Sequence, residues 1–225
     1  AEKDADLSTL LTALDRNAVE VLRSAPQKFG FRDSPLWEAE KSEMRNKLSD
    51  TIQSLEENRK GWNPVQVEVR FGGAQPLAID LGNETLLLRG IIDRVDMNSS
   101  GQVRVIDYKS GGGNLSQSDL ISGQRLQIPI YALAAKKAYP ESEVVDGFYW
   151  VIGAKDNPKM PLSKAKLGDL EGIEVAFQVL KNHLSRAVHG VRAGEFPPKP
   201  PKGGCPAYCP AIGWCWRYQS GSKAA

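Results

Sequence analysis

Between residues 58 and 65 the spacing of apolar side chains changes from 3.6 to 2, and that switch limits what this chain can fold into. Before it, Leu7, Leu10, Leu11, Leu14, Ala18, Val21 and Leu22 recur at helical spacing and predict a helix over residues 5–24. Residues 30–34 interrupt the pattern. Ser34-Pro35 then opens a second helix, with the serine as N-cap, the proline in the first turn and Glu38 near the capping-box position. Leu36, Met44, Leu48, Ile52 and Leu55 keep one face apolar to about Asn58, and Gly61 stops it. After the switch, Val65, Val67, Val69 and Phe71 alternate with Gln66, Glu68 and Arg70, which is a strand.

Two further strands are predicted over Thr85–Val95 and Gln102–Tyr108, joined by Asn98-Ser99-Ser100-Gly101 into an antiparallel hairpin. Gly111-Gly112-Gly113 ends the third strand. A helix is predicted over Ser116–Tyr139, a strand over Val144–Gly153 and a last helix over Leu167–Ala193. The order of elements predicts a mixed sheet flanked by helices, of α/β or α+β type. Three segments follow: a helical segment over 1–60, a core over 61–196 and a cysteine-containing segment over 197–225, entered through the extended Pro197–Pro201. There is no internal repeat.

The chain has 225 residues and a formal charge of +2, so a strongly basic surface is not implied and a nucleic acid would have to meet a local patch. After Glu195 no acid remains, while Lys199, Lys202, Arg217 and Lys223 do. That stretch reads equally as a nucleic-acid patch or a solvated basic tail. No apolar run approaches the roughly 20 residues that span a bilayer, and no secretory leader pattern is present, which places the expected compartment in the cytoplasm. The sequons at Asn83 and Asn98 are short enough to arise by chance.

The chemistry concentrates around the hairpin. Asp93 and Asp107 each fall near the end of a predicted strand, and neighbouring strands lie about 4.8 Å apart, so both carboxylates can reach one divalent ion. Hard oxygen ligands select magnesium or manganese. Lys109 lies two residues beyond Asp107 and shares its face of the strand, where an ammonium can orient water and stabilise charge on a phosphorane. Asp-x-Lys alone is common at a hairpin surface. Here the apolar pair Val105-Ile106 runs straight into the charges, and burying charge without a use is costly. Gln127 and Tyr131, four apart on a predicted helix, share one face.

Three cysteines, Cys205, Cys209 and Cys215, are all the chain has. An odd, clustered set argues for a metal or cluster site over a disulfide framework, with buried free thiols as the alternative. Thiolates select zinc or iron–sulfur clusters, which normally take four protein ligands. His183 and His189, six apart on the last helix, lie on different faces and make a poor ligand pair.

Taken together, Gly90-Ile-Ile-Asp93-Arg94-Val-Asp96, Ile106-Asp107-Tyr108-Lys109-Ser-Gly111 and Gln127-x-x-x-Tyr131 resemble the signature motifs of RecB-family nucleases of the PD-(D/E)XK superfamily. These include the nuclease domains of bacterial AddB and RecB recombination proteins and CRISPR-associated exonucleases. The resemblance runs from about Val65 to Arg217 and implies a restriction-endonuclease-like core. It further implies that Asp93 and Asp107 bind the metal, that the Tyr108 carbonyl adds a ligand and that Lys109 is catalytic. Glu68 matches an acidic residue on the preceding strand. Gln127 and Tyr131 would lie beside the active site, contacting DNA and positioning the lysine, with Arg94 also on the DNA.

The resemblance also implies a [4Fe-4S] cluster, because AddB-type members carry three cysteines after the nuclease motifs and a fourth far upstream. Gly194-Glu-Phe-Pro-Pro resembles the usual approach to that triplet. The upstream cysteine and an upstream histidine metal ligand are both missing before Val65. This predicts a shortened piece of a longer protein, holding no intact cluster by itself. The expected function is a magnesium- or manganese-dependent deoxyribonuclease that processes DNA ends in recombinational break repair beside a helicase partner. The alternatives are a CRISPR-associated exonuclease and a non-catalytic DNA-end-binding module. Gly111-Gly112-Gly113 lacks the ending of a nucleotide loop and is expected to let substrate backbone approach Lys109. Trp214 and Trp216 are expected to pack around Cys215, or to stack on single-stranded DNA.

Overall fold

The computed structural model describes residues 5–73, 76–82, 84–112, 114–154, 157–196, 205, 208–211, 213 and 215. Asn83, Gly113, the 197–201 connector, Lys202, Trp214, Trp216, Arg217 and Lys223 lie outside them. Two compact units divide the chain, Ala1–Leu184 and Ser185–Ala225.

The first unit opens with helices α1 (Leu7–Phe29) and α2 (Pro35–Glu57). Asp6 caps α1 by accepting from the Thr9 N–H at 2.8 Å, and the helix runs on through Pro26, beyond the expected end, until Gly30 adopts φ 74°. Ser34 caps α2 as expected, and Asn58 ends it. Strands β1 (Trp62–Phe71), β4 (Gly90–Asn98), β5 (Val103–Lys109) and β6 (Val144–Val151) form one sheet in the order β1-β4-β5-β6. The first two pairings are antiparallel and β5–β6 is parallel, so the sheet is mixed. Asn98–Gly101 makes the expected β4–β5 turn, with Gly101 at φ 77°.

Alternation on β5 assigns the two faces. Val103 and Val105 join the main core, beneath helix α4 (Gln127–Ala138), while Ile106 joins Phe148, Trp150 and Leu55 of α2 on the other side. That second face also carries Asp96, fully buried, which binds Arg94 and Arg104. Arg104 in turn lies over the rings of Trp62 and Phe148, at 4.7 and 5.4 Å from their centroids.

Four expectations are corrected. The strand over Thr85–Val95 is two strands, β3 (Thr85–Leu88) and β4, parted at Arg89, and β3 pairs with an unforeseen β2 (Leu77–Asp80). The helix over Ser116–Tyr139 is α3 (Gln117–Ser122) and α4, because Gly123 turns left-handed at φ 75° against the His183 ring. The last helix, α5 (Ile173–Arg192), starts later than expected: Gly168 and Gly172, both at positive φ, fold β7 (Lys166–Leu167) and β8 (Leu170–Glu171) into a small hairpin before it. Val67, expected inward, is 67% exposed on the edge strand β1, next to a left-handed Glu68.

In the second unit the end of α5 closes on itself, Glu195 N–H donating to the Gly190 carbonyl at 2.8 Å. Cys205, Cys209 and Cys215 are free and half-buried.

Candidate active site

Asp107 closes the core face of β5 and is 2% exposed. Burial pushes its carboxyl above the usual aspartate range; the Lys109 ammonium opposes that rise and the Asp93 carboxylate adds to it. Lys109 Nζ forms an ion pair with Asp107 Oδ2 at 2.5 Å, yet that buried oxygen has no aligned hydrogen-bond donor. Asp93 reaches the same strand from β4, its Oδ2 accepting from the Tyr108 N–H at 2.9 Å. The register supports this closeness: Arg94 pairs with Ile106, which sets Asp93 beside Asp107 across the hairpin.

Lys109 is held on three sides. Besides Asp107, its Nζ donates to Gln127 Oε1 at 2.8 Å, and Gln127 Nε2 donates to Tyr131 Oη at 2.8 Å. The ammonium also lies 5.1 Å from the centroid of the Tyr149 ring. The break at Gly123 matters here, because it makes Gln127 the first residue of α4. Gly147 lets that helix come close: a Cβ there would meet Ile128 Cγ2 at 3.0 Å and Val105 Cγ2 at 2.8 Å. Gly90 of the first motif does the same for Phe71, whose ring stands where a Cβ would lie 2.6 Å from Cζ.

The structure therefore brings Asp93, Asp107, Lys109, Gln127 and Tyr131 together. Glu68 lies opposite Asp93 in the β1–β4 ladder, between the pairs Val67–Arg94 and Val69–Ile92, but its side chain is exposed and its φ is 50°. Among the described residues no three His, Cys, Asp or Glu side chains form a metal-holding group. Arg94 is on the opposite face from Lys109, with its guanidinium on Asp96 and the Tyr108 hydroxyl. His183 hydrogen-bonds the Ile121 carbonyl at 2.8 Å, and His189 is exposed.

Tyr149 is the member that sequence reasoning missed. It pairs with Asp107 on the parallel neighbour β6, is 3% exposed, and its hydroxyl is pushed up to about 12 by burial, against a hydrogen bond from the Ile128 backbone. Within the apolar run Phe148–Ile152 it reads as core, and only the register reveals it under the lysine.

Two carboxylates and a backbone carbonyl at Tyr108 are hard oxygen donors, and by the chemistry of that donor set these residues fit a divalent metal. The three cysteines are different. They are soft in kind, and this structure assembles no cluster ligand set from them among its described residues.

A family model described as the PD-(D/E)XK nuclease superfamily matches residues 1–216. Among curated relatives, an ATP-dependent helicase/deoxyribonuclease subunit from Symbiobacterium thermophilum is 40% identical over 102 residues, 40% of this chain and 9% of its own length. The protein of the same name from Thermoanaerobacter sp. (strain X514) is 32% identical over 164 residues, 67% of this chain and 14% of its own. That of Clostridium novyi is 35% identical over 152 residues, 59% of this chain and 13% of its own. The match thus spans no more than 14% of the length of these three relatives.

Proposed function

The chain belongs to the PD-(D/E)XK nuclease superfamily, and from that premise we propose that it hydrolyses DNA phosphodiesters as the nuclease part of a helicase-associated protein. The observation that carries this reading is the convergence of the buried Asp107 carboxylate with Asp93 and with a lysine that is ion-paired to Asp107 at 2.5 Å and fixed by Gln127. The mixed sheet, with helices on both faces, supports a restriction-endonuclease-like core.

Asp93, Asp107 and the Tyr108 carbonyl would hold magnesium or manganese. Held there, a divalent ion would supply a Lewis acid for a phosphoryl oxygen and for a water molecule. Lys109 serves the reaction with its own charge: the ammonium orients the incoming water and stabilises negative charge gathering on the phosphorane oxygens. Gln127 fixes the direction of that ammonium, and Tyr131 fixes Gln127. Tyr149, buried beneath the lysine, keeps water from its rear and presents its ring face to the ammonium.

The relatives' shared name, helicase/deoxyribonuclease, supports a deoxyribonuclease that works beside a helicase, over a CRISPR-associated exonuclease, and we read its task as end processing in break repair. A protein that acts on DNA beside a helicase belongs where the DNA is, which supports the cytoplasm as its compartment; separately, no helix among the described residues is long and apolar enough to cross a membrane. The cysteine spacing supports a second role in the longer protein, three of the four ligands of a [4Fe-4S] cluster, and no step of cleavage depends on it.

The test is cleavage of linear single- and double-stranded DNA with manganese and with magnesium, comparing the chain with Asp107→Ala and Lys109→Ala. Cleavage that both substitutions abolish is the expected result. Because two carboxylates and no third acid converge among the described residues, the competing reading is a DNA-end-binding module without catalysis, and DNA binding with no cleavage in either metal would favour it.

A further inference from the structure

Arg125 lies in the connection between α3 and α4, two residues before Gln127. Its side chain is half-buried, and its Nη2 donates to the Gly112 carbonyl at 2.8 Å. Its guanidinium carbon is 5.9 Å from the centroid of Tyr149, the ring that also carries Lys109 at 5.1 Å. Arg125 thus belongs to the active-site wall and shares a ring with the lysine.

Its charge is uncommitted. Among the described residues Arg125 forms no ion pair with a carboxylate, whereas Arg45, Arg59, Arg94 and Arg104 each have one. A guanidinium has five N–H donors in a fixed fork, and the Gly112 carbonyl takes one. The others are free to meet an anion with two oxygens. A Cβ at Gly111 or Gly112 would meet nothing within 4 Å, so the loop that holds the guanidinium is open at these two glycines and presents bare backbone to an approaching strand. Helix α4 starts immediately afterwards with no side-chain cap and no acid in its first turn; the nearby Asp107 carboxylate, across the Tyr149 ring, is paired with Lys109 instead.

We propose that Arg125 binds a backbone phosphate of the substrate strand next to the one being cleaved, in a seat fixed by the Gly112 carbonyl and the Tyr149 ring. The identity of the anion rests on the DNA-cleaving reading above; the seat itself rests on the geometry. Placed so, Arg125 sets the register of the strand over Lys109. It also gives the two glycines their use, since the carbonyl that orients the guanidinium comes from the loop over which the strand passes.

The experiment measures binding and cleavage separately in the 225-residue chain. Fluorescence anisotropy with an end-labelled single-stranded oligonucleotide, in metal-free buffer across a salt series, gives Kd and its salt slope. Arg125→Ala should weaken binding about tenfold and lower the slope by about 0.7, one phosphate on a single strand. Arg125→Lys should recover the slope but only part of the affinity, because lysine lacks the fork. Arg125→Gln, which keeps a polar side chain without the charge or the fork, should behave like Arg125→Ala. With manganese and saturating DNA, kcat should fall together with affinity in Arg125→Ala and Arg125→Gln, because the strand loses its register over Lys109, and should be partly restored in Arg125→Lys.

Wild-type affinity and slope in Arg125→Ala would overturn the proposal. So would an equal loss in Arg16→Ala on α1, which would reduce the effect to general charge. A collapse of kcat at unchanged Kd would also overturn it, in favour of Arg125 acting on Lys109 through Tyr149. If the parent chain binds DNA but cuts none, the nuclease reading fails while the binding series still decides Arg125. If the parent chain binds no DNA at all, the seat is not a DNA site and the proposal falls.

Discussion

Phe71 stands edge-on to Tyr131, with 6.0 Å between ring centroids and 76° between ring planes. This contact ties the edge strand β1 to the lysine on β5 through a chain of four residues: Phe71 supports Tyr131, Tyr131 receives Gln127, and Gln127 receives Lys109. Gly90 stands at the base of the chain, since any side chain there collides with the Phe71 ring.

Gly90→Ala should therefore act on catalysis from a distance. The added Cβ pushes Phe71 from its place, and the shift passes to Tyr131 and on to the ammonium. Misplacement of a reacting group by about 1 Å can cost about 100-fold, and a partly relaxed chain should cost about tenfold in kcat. DNA affinity should change little. Single-turnover cleavage beside an anisotropy titration checks this; equal losses in Kd and kcat would show a general disturbance of the fold.

The Gln127 link gives a graded series. Gln127→Leu keeps the volume of the side chain but removes both hydrogen bonds, freeing Lys109 to rotate around Asp107. Cleavage should fall about 10- to 100-fold. Tyr131→Phe removes only the outer bond of the chain and should cost about threefold. The double variant should be no worse than Gln127→Leu alone, because the two residues act through one lysine. Additive losses in the double variant would show that Tyr131 touches the substrate by itself.

Asp107 makes the fold pH-dependent in a definite sense. Its folded carboxyl titrates above the unfolded value near 3.8, so between those two points the native state binds the extra proton. Its ionisation therefore subtracts stability as the pH rises through that window, and the loss is complete above the folded value. Asp107→Asn removes the term. The variant should melt higher than the parent at neutral pH, by a few degrees, and the two should converge as the pH falls below 3.8. Manganese should close the gap at neutral pH by stabilising only the parent. Asp146, also raised by burial, is present in both proteins and cancels in the comparison. A parent more stable than Asp107→Asn in metal-free neutral buffer would contradict the sign.

Much of this site was legible because its parts are local in sequence. Asp107 and Lys109 share a face by strand alternation, Gln127 and Tyr131 by helical spacing, and the turn at Asn98–Gly101 fixes how Asp93 meets Asp107. The elements that were misread are those set by tertiary contact. Gly123 ends α3 because of where it meets His183, and no periodic pattern encodes that. Tyr149 looks like core until the parallel register with β5 places it under Lys109, and parallel pairing is made by residues far apart in the chain. Arg94 reads as a site residue from its neighbour Asp93, yet alternation turns it to the other face, where it finds Asp96.

That other face supplies the last prediction. Asp96 is fully buried and accepts from Arg94 at 2.5 Å and from Arg104 at 2.8 Å, each arginine side chain being 12% exposed. Removing the acid leaves two nearly buried cations facing each other, whereas removing one arginine leaves the acid with a partner. Asp96→Ala should therefore cost about 3–5 kcal/mol, as for other buried pairs that lose one member, and Arg94→Ala clearly less. Replacing Asp96 with Asn keeps hydrogen-bond acceptance at one oxygen and should fall between them. Urea denaturation of the three variants gives the order. The same proteins test the place of Arg94 relative to DNA: with its charge committed to Asp96, Arg94→Ala should leave the salt slope of DNA binding at the parent value, and a slope lowered by about 0.7 would put Arg94 on a phosphate instead.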